Sequence, residues 1–384
     1  MRSIRFFAIA SALFCCLVCC AVADTASQCL VYFGTYTGAK SKGIYVARMD
    51  LATGALSSLD IAAETPNPTF LEVDARHHRL YAANEIGKFE GKNAGSVSAF
   101  SIEPDTGKLT LLNVRTSGGG GPCHVVLDKQ DKNVLVANYG GGSVEVLPVL
   151  PDGTLGEATA FVQHEGKSVN PSRQEKPHAH CVTLDPANRF AFVCDLGIDK
   201  IMSYRFDPAH GTLTPNEPAF FQDEPGAGPR HLTFAPNGHF AYLINELGST
   251  MTALAYDAAN GSFRELQTLP MLPDDFKGFN LSAEVVVDAS GKHVYGSNRG
   301  HDSIAVFDVN RSKGTLKLAQ RQSVQGKTPR HFAIDPTGKF MVVANQDSSN
   351  VVVFAINPRN GKITPTGQTL EVPSPVCVKF FEAR

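Results

Sequence analysis

Residues 228–248 read GPRHLTFAPNGHFAYLINELG and predict a β-hairpin. Pro236, Asn237 and Gly238 are turn formers, and an apolar stretch lies on each side of them. Because the two strands of a hairpin run antiparallel, Arg230 and His231 at the start of the first strand should meet Glu246 after the second. The stretch therefore predicts a charged cluster at the open end of the hairpin.

The middle of this hairpin belongs to a pattern that occurs six times along the chain. The six segments are 74–84 (DARHHRLYAAN), 128–138 (DKQDKNVLVAN), 185–195 (DPANRFAFVCD), 235–245 (APNGHFAYLIN), 288–298 (DASGKHVYGSN) and 335–345 (DPTGKFMVVAN). Their last residues, Asn or Asp in every case, are 54, 57, 50, 53 and 47 residues apart. A period near 50 residues predicts a tandem array.

Each repeat continues into a third apolar strand and a fourth segment rich in turn formers, with no helical periodicity. Four-stranded antiparallel units of this length are typical of an all-β β-propeller. The opening LVYFGTY, residues 30–36, matches the second strand of a repeat without its first. PSPVCVKFF, residues 373–381, supplies that first strand, so we expect seven blades in a ring closed by pairing the N- and C-terminal strands.

The N-terminus has the features of a secretory leader. Arg2 and Arg5 precede an apolar run from Phe6 to Ala21, and Ala21-Val22-Ala23 forms a small-residue cleavage site. We expect a signal peptide over 1–23, a single propeller domain over 24–384 and export to the periplasm or the extracellular space. A lipoprotein attached through Cys20 is the alternative.

The balance of 35 Lys and Arg against 37 Asp and Glu gives a net charge of −2. No strong field favours nucleic acid or an anionic membrane, so we expect a small-molecule or protein partner, with no nucleic acid and no membrane after removal of the leader. The sequence leaves the oligomeric state open. Five cysteines follow the leader; Cys29 and Cys377 would lie on adjacent strands of the closing blade, where a disulfide and two buried thiols are alternatives.

The open ends of the predicted hairpins are rich in histidine, arginine and glutamate. These positions include Glu85, Cys123, His124, Tyr139, His178, His180, Arg230, His231, Glu246, Glu284, Arg299, Arg330, His331 and Gln346. Arginine binds carboxylate, phosphate or a developing oxyanion, and histidine and glutamate transfer protons. Their convergence on one face of the ring predicts a polar substrate pocket.

Structural roles compete with this interpretation at each position. Arg230 and Glu246 would form an ordinary salt bridge, and the histidines after the arginines would be hydrogen-bonded spacers. The Asn and Asp at the first and last positions of the segments would cap blade corners. His178 and His180 have the spacing of two metal ligands but lack a matching third, so we expect no metal and no cofactor.

The motifs taken together resemble the lactonase-type seven-bladed propellers, which include the propeller form of 6-phosphogluconolactonase and the fungal carboxy-muconate cyclases. The resemblance covers essentially the whole chain after the leader. It runs through FGTYT, GPCHVVLD, VANYGGGSVEV, KPHAHCVTLDP, GPRHLTFAPNG, INELGST, SNRGHDSIAVF and TPRHFAIDPTGKF. It implies a lactonase that opens 6-phosphogluconolactone or a related aldonolactone.

The resemblance to the cyclases implies the catalytic set His180, Arg230, Glu246 and Arg299. His180 or Glu246 would activate water, and the two arginines would hold the substrate anion and stabilise the oxyanion. The substrate-binding residues would be His124, His178, His231, Arg330 and Gln346, with His178 competing with His180 for proton transfer. Lactone formation by a cyclase and an exported binding propeller without turnover are the alternative functions.

Overall fold

The computed structural model describes residues 28–382 as seven four-stranded antiparallel sheets. The predicted all-β propeller of seven blades is therefore confirmed. The leader predicted over 1–23 lies outside the described residues. The described residues include no helix that could span a membrane.

Six blades are formed by four consecutive strands each. The first blade consists of β4 (Pro68–Asp74), β5 (Arg79–Asn84), β6 (Ser96–Ile102) and β7 (Leu109–Thr116). The second consists of β8 (Pro122–Leu127), β9 (Asn133–Asn138), β10 (Ser143–Pro148) and β11 (Ala160–Gln163). The third consists of β12 (Ala179–Leu184), β13 (Phe190–Asp195), β14 (Lys200–Asp207) and β15 (Thr212–Gln222). The fourth blade consists of β16 (Pro229–Phe234), β17 (Phe240–Asn245), β18 (Thr250–Asp257) and β19 (Ser262–Pro270). The fifth consists of β20 (Leu281–Val287), β21 (His293–Arg299), β22 (Ser303–Val309) and β23 (Leu316–Ser323). The sixth consists of β24 (Pro329–Ile334), β25 (Phe340–Asn345), β26 (Asn350–Ile356) and β27 (Ile363–Glu371).

The seventh blade joins the two ends of the chain. Its strand order is β28 (Pro375–Phe381), β1 (Gln28–Thr35), β2 (Gly43–Asp50) and β3 (Asp60–Glu64), so the predicted ring closure is confirmed. Cys377 lies opposite Gly34, whereas Cys29 lies at the other end of β1. Both are buried free thiols, which is the second of the two alternatives derived from the sequence.

The repeated Asp and Asn residues hold the two ends of each hairpin. At the turn, the Asp185 carboxylate accepts hydrogen bonds from the backbone N–H groups of Arg189 and Phe190, at 2.6 and 2.9 Å. At the open end, buried Asn138 donates to the backbone carbonyl of Ser117 at 2.7 Å. Both residues therefore cap blade corners, as expected.

The apolar core lies between neighbouring blades. One cluster joins Phe192 of the third blade to Leu243 of the fourth, and another joins Tyr295 of the fifth to Phe354 of the sixth. These packed layers hold the innermost strands, β4, β8, β12, β16, β20, β24 and β28, in contact around a central channel.

Each inner strand is interrupted at the same point near the open end of its blade. In β16, Pro229 pairs with Asn245 and His231 pairs with Ile244, which leaves Arg230 as an unpaired bulge residue. The corresponding bulge residues in five other inner strands are Thr69, Cys123, His180, Arg330 and Val376. In β20, Ala283 and Glu284 both lie opposite Ser297. A bulge redirects side chains from the strict alternation of a strand.

The bulges create two layers of side chains around the channel. The upper layer is formed by the six bulge residues, Thr69, Cys123, His180, Arg230, Arg330 and Val376. The lower layer is formed by the residues that follow the bulges in the first six blades, which are Phe70, His124, Cys181, His231, Glu284 and His331. Successive residues of one strand therefore contribute to both layers, which places polar groups at two depths of the channel.

Candidate active site

A cavity of about 310 Å³ lies at the upper end of the channel. Its wall combines residues of the upper layer with residues that follow the second strand of a hairpin and one residue from a connecting segment. The lining residues are Glu85, Cys123, Tyr139, Arg173, His180, Glu246, Leu281, Arg299 and Arg330. Three of the four predicted catalytic residues line it, and the fourth, Arg230, lies directly against Glu246.

Buried Glu246 is the centre of a cluster of three arginines. One carboxylate oxygen, Oε2, accepts from Arg230 Nε at 3.0 Å and from a terminal nitrogen of Arg299 at 2.9 Å. The other, Oε1, accepts from Arg173 at 2.5 Å. The hairpin prediction that Arg230 and Glu246 meet is confirmed, and the cluster is larger than a single salt bridge.

The arginines determine the charge state of Glu246. Burial by itself would raise the pKa of this carboxyl, but Arg299, Arg230 and Arg173 outweigh burial and lower the pKa of Glu246 to about 2. Glu246 is therefore a carboxylate at neutral pH and a weak proton acceptor.

Main-chain carbonyls fix two of the three guanidinium groups. Arg230 donates to the carbonyl of Ala283 at 2.6 Å, and Arg299 donates to the carbonyl of Ser282 at 3.0 Å. Arg230 is almost fully buried, whereas Arg299 reaches the cavity wall. Arg299 is thus the orientated cation that a bound molecule would meet.

His180 provides a neutral imidazole on the same wall. Burial, and then the positive charge of Arg230, hold the pKa of His180 well below its ordinary value of 6.5. Its Nδ1 lies 3.8 Å from Cys123 Sγ, and no hydrogen bond from another described residue reaches Nε2. A neutral imidazole with a free nitrogen at a cavity wall is suited to general base catalysis.

His178 does not line this cavity, although it lies two residues from His180. Its ring stacks on Tyr139 with centroids 4.5 Å apart, its Nδ1 lies 3.0 Å from the Tyr139 carbonyl, and its Nε2 lies 3.3 Å from Glu175. The geometry therefore favours His180 for proton transfer and gives His178 a supporting contact.

A second polar cluster lies around Arg330. Arg330 donates to the hydroxyl of Tyr36 at 3.1 Å, and that hydroxyl donates to both carboxylate oxygens of Glu85 at 2.9 Å. No carboxylate among residues 28–382 forms a salt bridge with Arg330, whose guanidinium also lies 5.4 Å from the Tyr36 ring centroid. Arg330 thus presents a positive charge to the cavity, and its role in substrate binding stays a prediction.

The lower layer forms a separate polar cluster deeper in the channel. Glu284 Oε2 lies 3.0 Å from His231 Nδ1 and 3.4 Å from His331 Nε2. Burial lowers the pKa of His331 to about 3, despite the nearby Glu284. The ring of His124 packs against Phe70, with centroids 4.2 Å apart.

Four of the five predicted substrate-binding residues, His124, His178, His231 and Gln346, therefore lie outside the upper cavity. His124 and His231 line a different cavity of about 570 Å³ below a constriction that encloses only about 10 Å³. Gln346 is half-buried after β25 and is not part of the upper wall. His124 and His231 are displaced because each follows a bulge and belongs to the lower layer.

The structure adds Arg173 and Tyr36 to the residues derived from the sequence. Arg173 belongs to residues 164–178, the longest connection between successive strands in the described part of the chain, which we call the strap. The equivalent connections of the other blades have ten residues or fewer, and this difference in length was the signal available in the sequence. Tyr36 follows Thr35, the residue that marks the blade corner.

The strap is anchored at both ends. His164 Nδ1 lies 2.6 Å from Asp195 Oδ2 in a fully buried pair. Gln174 donates to Asp199 at 2.8 Å and to the carbonyl of Leu196 at 2.9 Å. These contacts fix the backbone next to Arg173.

Within the described residues, one group of three side chains has metal-binding geometry, and it lies away from the upper cavity. It consists of Asp74, His77 and Asp131, and Asp74 ends β4 at the hairpin turn. Arg76 already donates to Asp131 at 2.9 Å. The upper cavity itself contains arginines, one imidazole and two carboxylates that are occupied by cationic or hydroxyl partners.

Comparison with known proteins identifies the family. The family described as Lactonase, 7-bladed beta-propeller matches residues 30–380. The chain is 41% identical over 350 residues to a protein named 6-phosphogluconolactonase from Bacillus subtilis, covering 91% of this chain and 97% of that protein. It is 31% identical over 355 residues to a 6-phosphogluconolactonase from Formosa agariphila, covering 91% and 99%.

A solved structure gives the same result. The periplasmic gluconolactonase of Pseudomonas aeruginosa superposes with a TM-score of 0.88 at 35% identity, covering 93% of this chain and 100% of that chain. The fold, the ring closure and the extent of both sequence matches agree. The chain therefore belongs to the seven-bladed β-propeller lactonase family.

Proposed function

We propose that this protein hydrolyses the lactone ring of an aldonolactone by general base catalysis at the upper cavity. The observation that carries the proposal is the position of neutral, buried His180 on the same wall as Arg299, whose guanidinium is fixed by Glu246 and a main-chain carbonyl. The names of the relatives support a lactone as substrate.

In the proposed reaction, His180 accepts a proton from a water molecule as the water oxygen attacks the carbonyl carbon of the lactone. Arg299 stabilises the negative charge that develops on the carbonyl oxygen. The ring C–O bond then breaks, and the imidazolium of His180 returns the proton to the departing alkoxide. The product is the open-chain hydroxy acid, which ionises at neutral pH.

Glu246 acts as a positioning residue in this scheme. Its low pKa makes it a weak base, and its carboxylate holds Arg230 and Arg299 in one orientation. A preorganised cation stabilises an oxyanion better than one that must be reorientated during the reaction.

Arg330, Tyr36 and Glu85 would bind the hydroxyl groups of the sugar. Arg330 offers donors without a competing carboxylate, and Glu85 offers acceptors. His180, Arg299 and this cluster thus provide the base, the oxyanion partner and the groups that orientate the ring.

The reaction as proposed requires no metal ion. We expect hydrolysis of 6-phosphogluconolactone above the spontaneous rate, retained in the presence of a chelator and lost in Arg299→Ala. The control is Arg115→Ala, which removes an exposed salt bridge with Glu157. Loss of activity on chelation, restored by a divalent cation, would contradict the metal-free mechanism.

A second candidate substrate is an unphosphorylated aldonolactone. The excess of arginine over glutamate in the cavity wall favours a phosphorylated substrate. The predicted leader, and the name of the periplasmic gluconolactonase neighbour, favour an unphosphorylated one, since export would separate the enzyme from cytosolic sugar phosphates. Comparing kcat/KM for 6-phosphogluconolactone and gluconolactone distinguishes the two.

Export and the single propeller domain over 24–384 are part of the proposal. We expect the secreted protein to begin at Asp24, which N-terminal sequencing would test. An acylated N-terminal cysteine would instead support the lipoprotein alternative. No turnover of any lactone would favour the cyclase or the non-catalytic binding function.

A further inference from the structure

We infer that Arg173 is a specificity-determining residue that binds the phosphoryl group of a phosphorylated lactone at the mouth of the upper cavity. The inference rests on the proposed function and adds to it a residue that selects between the two candidate substrates. It follows from how Arg173 differs from the other arginines of the Glu246 cluster.

The first difference is the way in which the guanidinium group is held. Arg230 and Arg299 each donate to a main-chain carbonyl of the β20 segment as well as to Glu246. Arg173 donates only to side chains, to Glu246 Oε1 at 2.5 Å and to the Tyr139 hydroxyl at 3.2 Å. Glu246 would keep two arginine partners on Oε2 if Arg173 moved, so the exchange of one anionic partner for another leaves the cluster intact.

The second difference is position. The side chain of Arg173 is 31% exposed, compared with 3% for Arg230 and 10% for Arg299. Arg173 therefore lies at the rim of the cavity, whereas the proposed base and oxyanion partner lie on its wall. In the ring form of 6-phosphogluconolactone, the phosphoryl group is carried on C6, which is joined to the carbonyl carbon through C5 and the ring oxygen. A substrate that places its carbonyl against Arg299 would therefore have its phosphoryl group within reach of Arg173, because the two arginines bind the two oxygens of the same Glu246 carboxylate.

The third observation concerns chemistry and support. Guanidinium groups bind phosphoryl oxygens through charge-assisted, bidentate hydrogen bonds. The backbone beside Arg173 is fixed by the buried contacts of Gln174, so the side chain alone has to change its partner. In the free enzyme, the Glu246 carboxylate binds Arg173 and keeps its guanidinium group orientated. The phosphoryl group then takes the place of this carboxylate on Arg173.

The test is a binding measurement with the stable open-chain products, because it is independent of turnover. Calorimetry would compare 6-phosphogluconate with gluconate for the wild type, Arg173→Gln and Arg173→Lys. The matched control is Lys167→Gln, which removes one positive charge from an exposed position of the same strap. Thermal unfolding of each variant would establish that it is folded.

We expect Arg173→Gln to weaken 6-phosphogluconate binding by about tenfold or more, the range for one charge-assisted contact, and gluconate binding by less than about threefold. Arg173→Lys should recover part of the loss, and Lys167→Gln should change neither affinity. Equal weakening of both ligands, no weakening of 6-phosphogluconate binding, or no binding of 6-phosphogluconate to the wild type would overturn the inference. Selective binding without turnover of any lactone would instead contradict the hydrolytic function and leave the role of Arg173 standing.

Discussion

Arg230 and His231 are neighbours in sequence, but their side chains belong to different layers of the channel. Arg230 contacts Glu246 beside the upper cavity, and His231 contacts Glu284 below the constriction. The sequence indicated that both lie at the open end of a hairpin. It did not indicate the layers, because these depend on a bulge whose position is set by the pairing of the strands.

The sequence also could not separate the roles of His178 and His180. Two residues of one strand should point the same way, so the sequence left their roles open. In the structure β12 begins only at Ala179, and His178 belongs to the strap, where it stacks on Tyr139. The local pattern could not show where the strand starts, and that boundary separates the two roles.

Replacement of the proposed base should affect the rate far more than replacement of its neighbour. We expect His180→Gln to lower kcat by about 10²–10⁴-fold, the usual contribution of a general base. His178→Gln should retain most of the wild-type kcat, because His178 does not line the cavity. Steady-state kinetics on one lactone would decide; similar losses in both variants would argue against His180 as the base.

The pH dependence of the reaction follows from the lowered pKa of His180. Catalysis requires the neutral imidazole, and the folded protein keeps it neutral below the ordinary pKa of 6.5. The acid limb of kcat/KM should therefore lie well below pH 6.5, with the rate falling only as the pH decreases through the lowered pKa. An acid limb at or above pH 6.5, measured after subtraction of spontaneous hydrolysis, would be inconsistent with His180 in this role.

Removal of the Glu246 charge should destabilise the protein. Glu246→Gln leaves buried Arg230 and Arg299 without their carboxylate, and loss of one partner from a buried ion pair costs about 3–5 kcal/mol. Glu157→Gln, which removes the exposed partner of Arg115, should change the free energy of unfolding by less than about 0.5 kcal/mol. Urea unfolding would measure the free energy of unfolding of both variants. Equal losses in the two variants would contradict a stabilising role of the buried Glu246 carboxylate.

At the scale of the elements, the strands were well predicted and the strap was not. The six repeated segments coincide with hairpins because alternating apolar residues and Asp or Asn corners are local signals. The strap lacks any repeat, and its position depends on distant partners such as Asp195 and Asp199. Arg173 could therefore not be assigned to the site from the sequence.

Gly197 couples the strap to the third blade. A Cβ atom at this position would overlap the carbonyl oxygen of Lys176 and lie 2.8 Å from the backbone nitrogen of His178. We expect Gly197→Ala to displace this end of the strap and lower both thermal stability and kcat/KM. Gly38→Ala is the control, because no atom would lie within 4 Å of its Cβ. A wild-type kcat/KM in Gly197→Ala would show that the strap does not need this close contact.

At the scale of the whole molecule, the number of blades and the closure of the ring followed from the sequence. Counting six complete repeats and one divided repeat requires only periodicity, and the structure confirms it. The depth of the channel, its constriction and its two cavities result from side chains of seven inner strands together. A pattern confined to one repeat carries no information on that arrangement.

The pairing of β28 with β1 predicts that the last strand is essential. A chain that ends at Ser374 lacks β28 and leaves β1 with an open edge, so we expect it to lose the cooperative thermal unfolding transition. A circular permutant that begins at Pro375 and joins Glu382 to Gln28 through a short turn should keep the transition, because Phe381 lies opposite Leu30. A wild-type transition in the truncated chain would contradict the closure.

The divided blade also constrains the order of events during synthesis. Leu30 pairs with Phe381, so the first strand of the ring waits for its partner until nearly the whole chain has been made. At 5–20 residues per second, the interval is about 20–70 s. During this time the edge of β1 is open to pairing with another chain, and a partner that covers it would prevent aggregation. Ring closure is thus the last folding step that the nascent chain can complete. We expect the yield of closed protein to depend on how long a partner covers the free edge of β1.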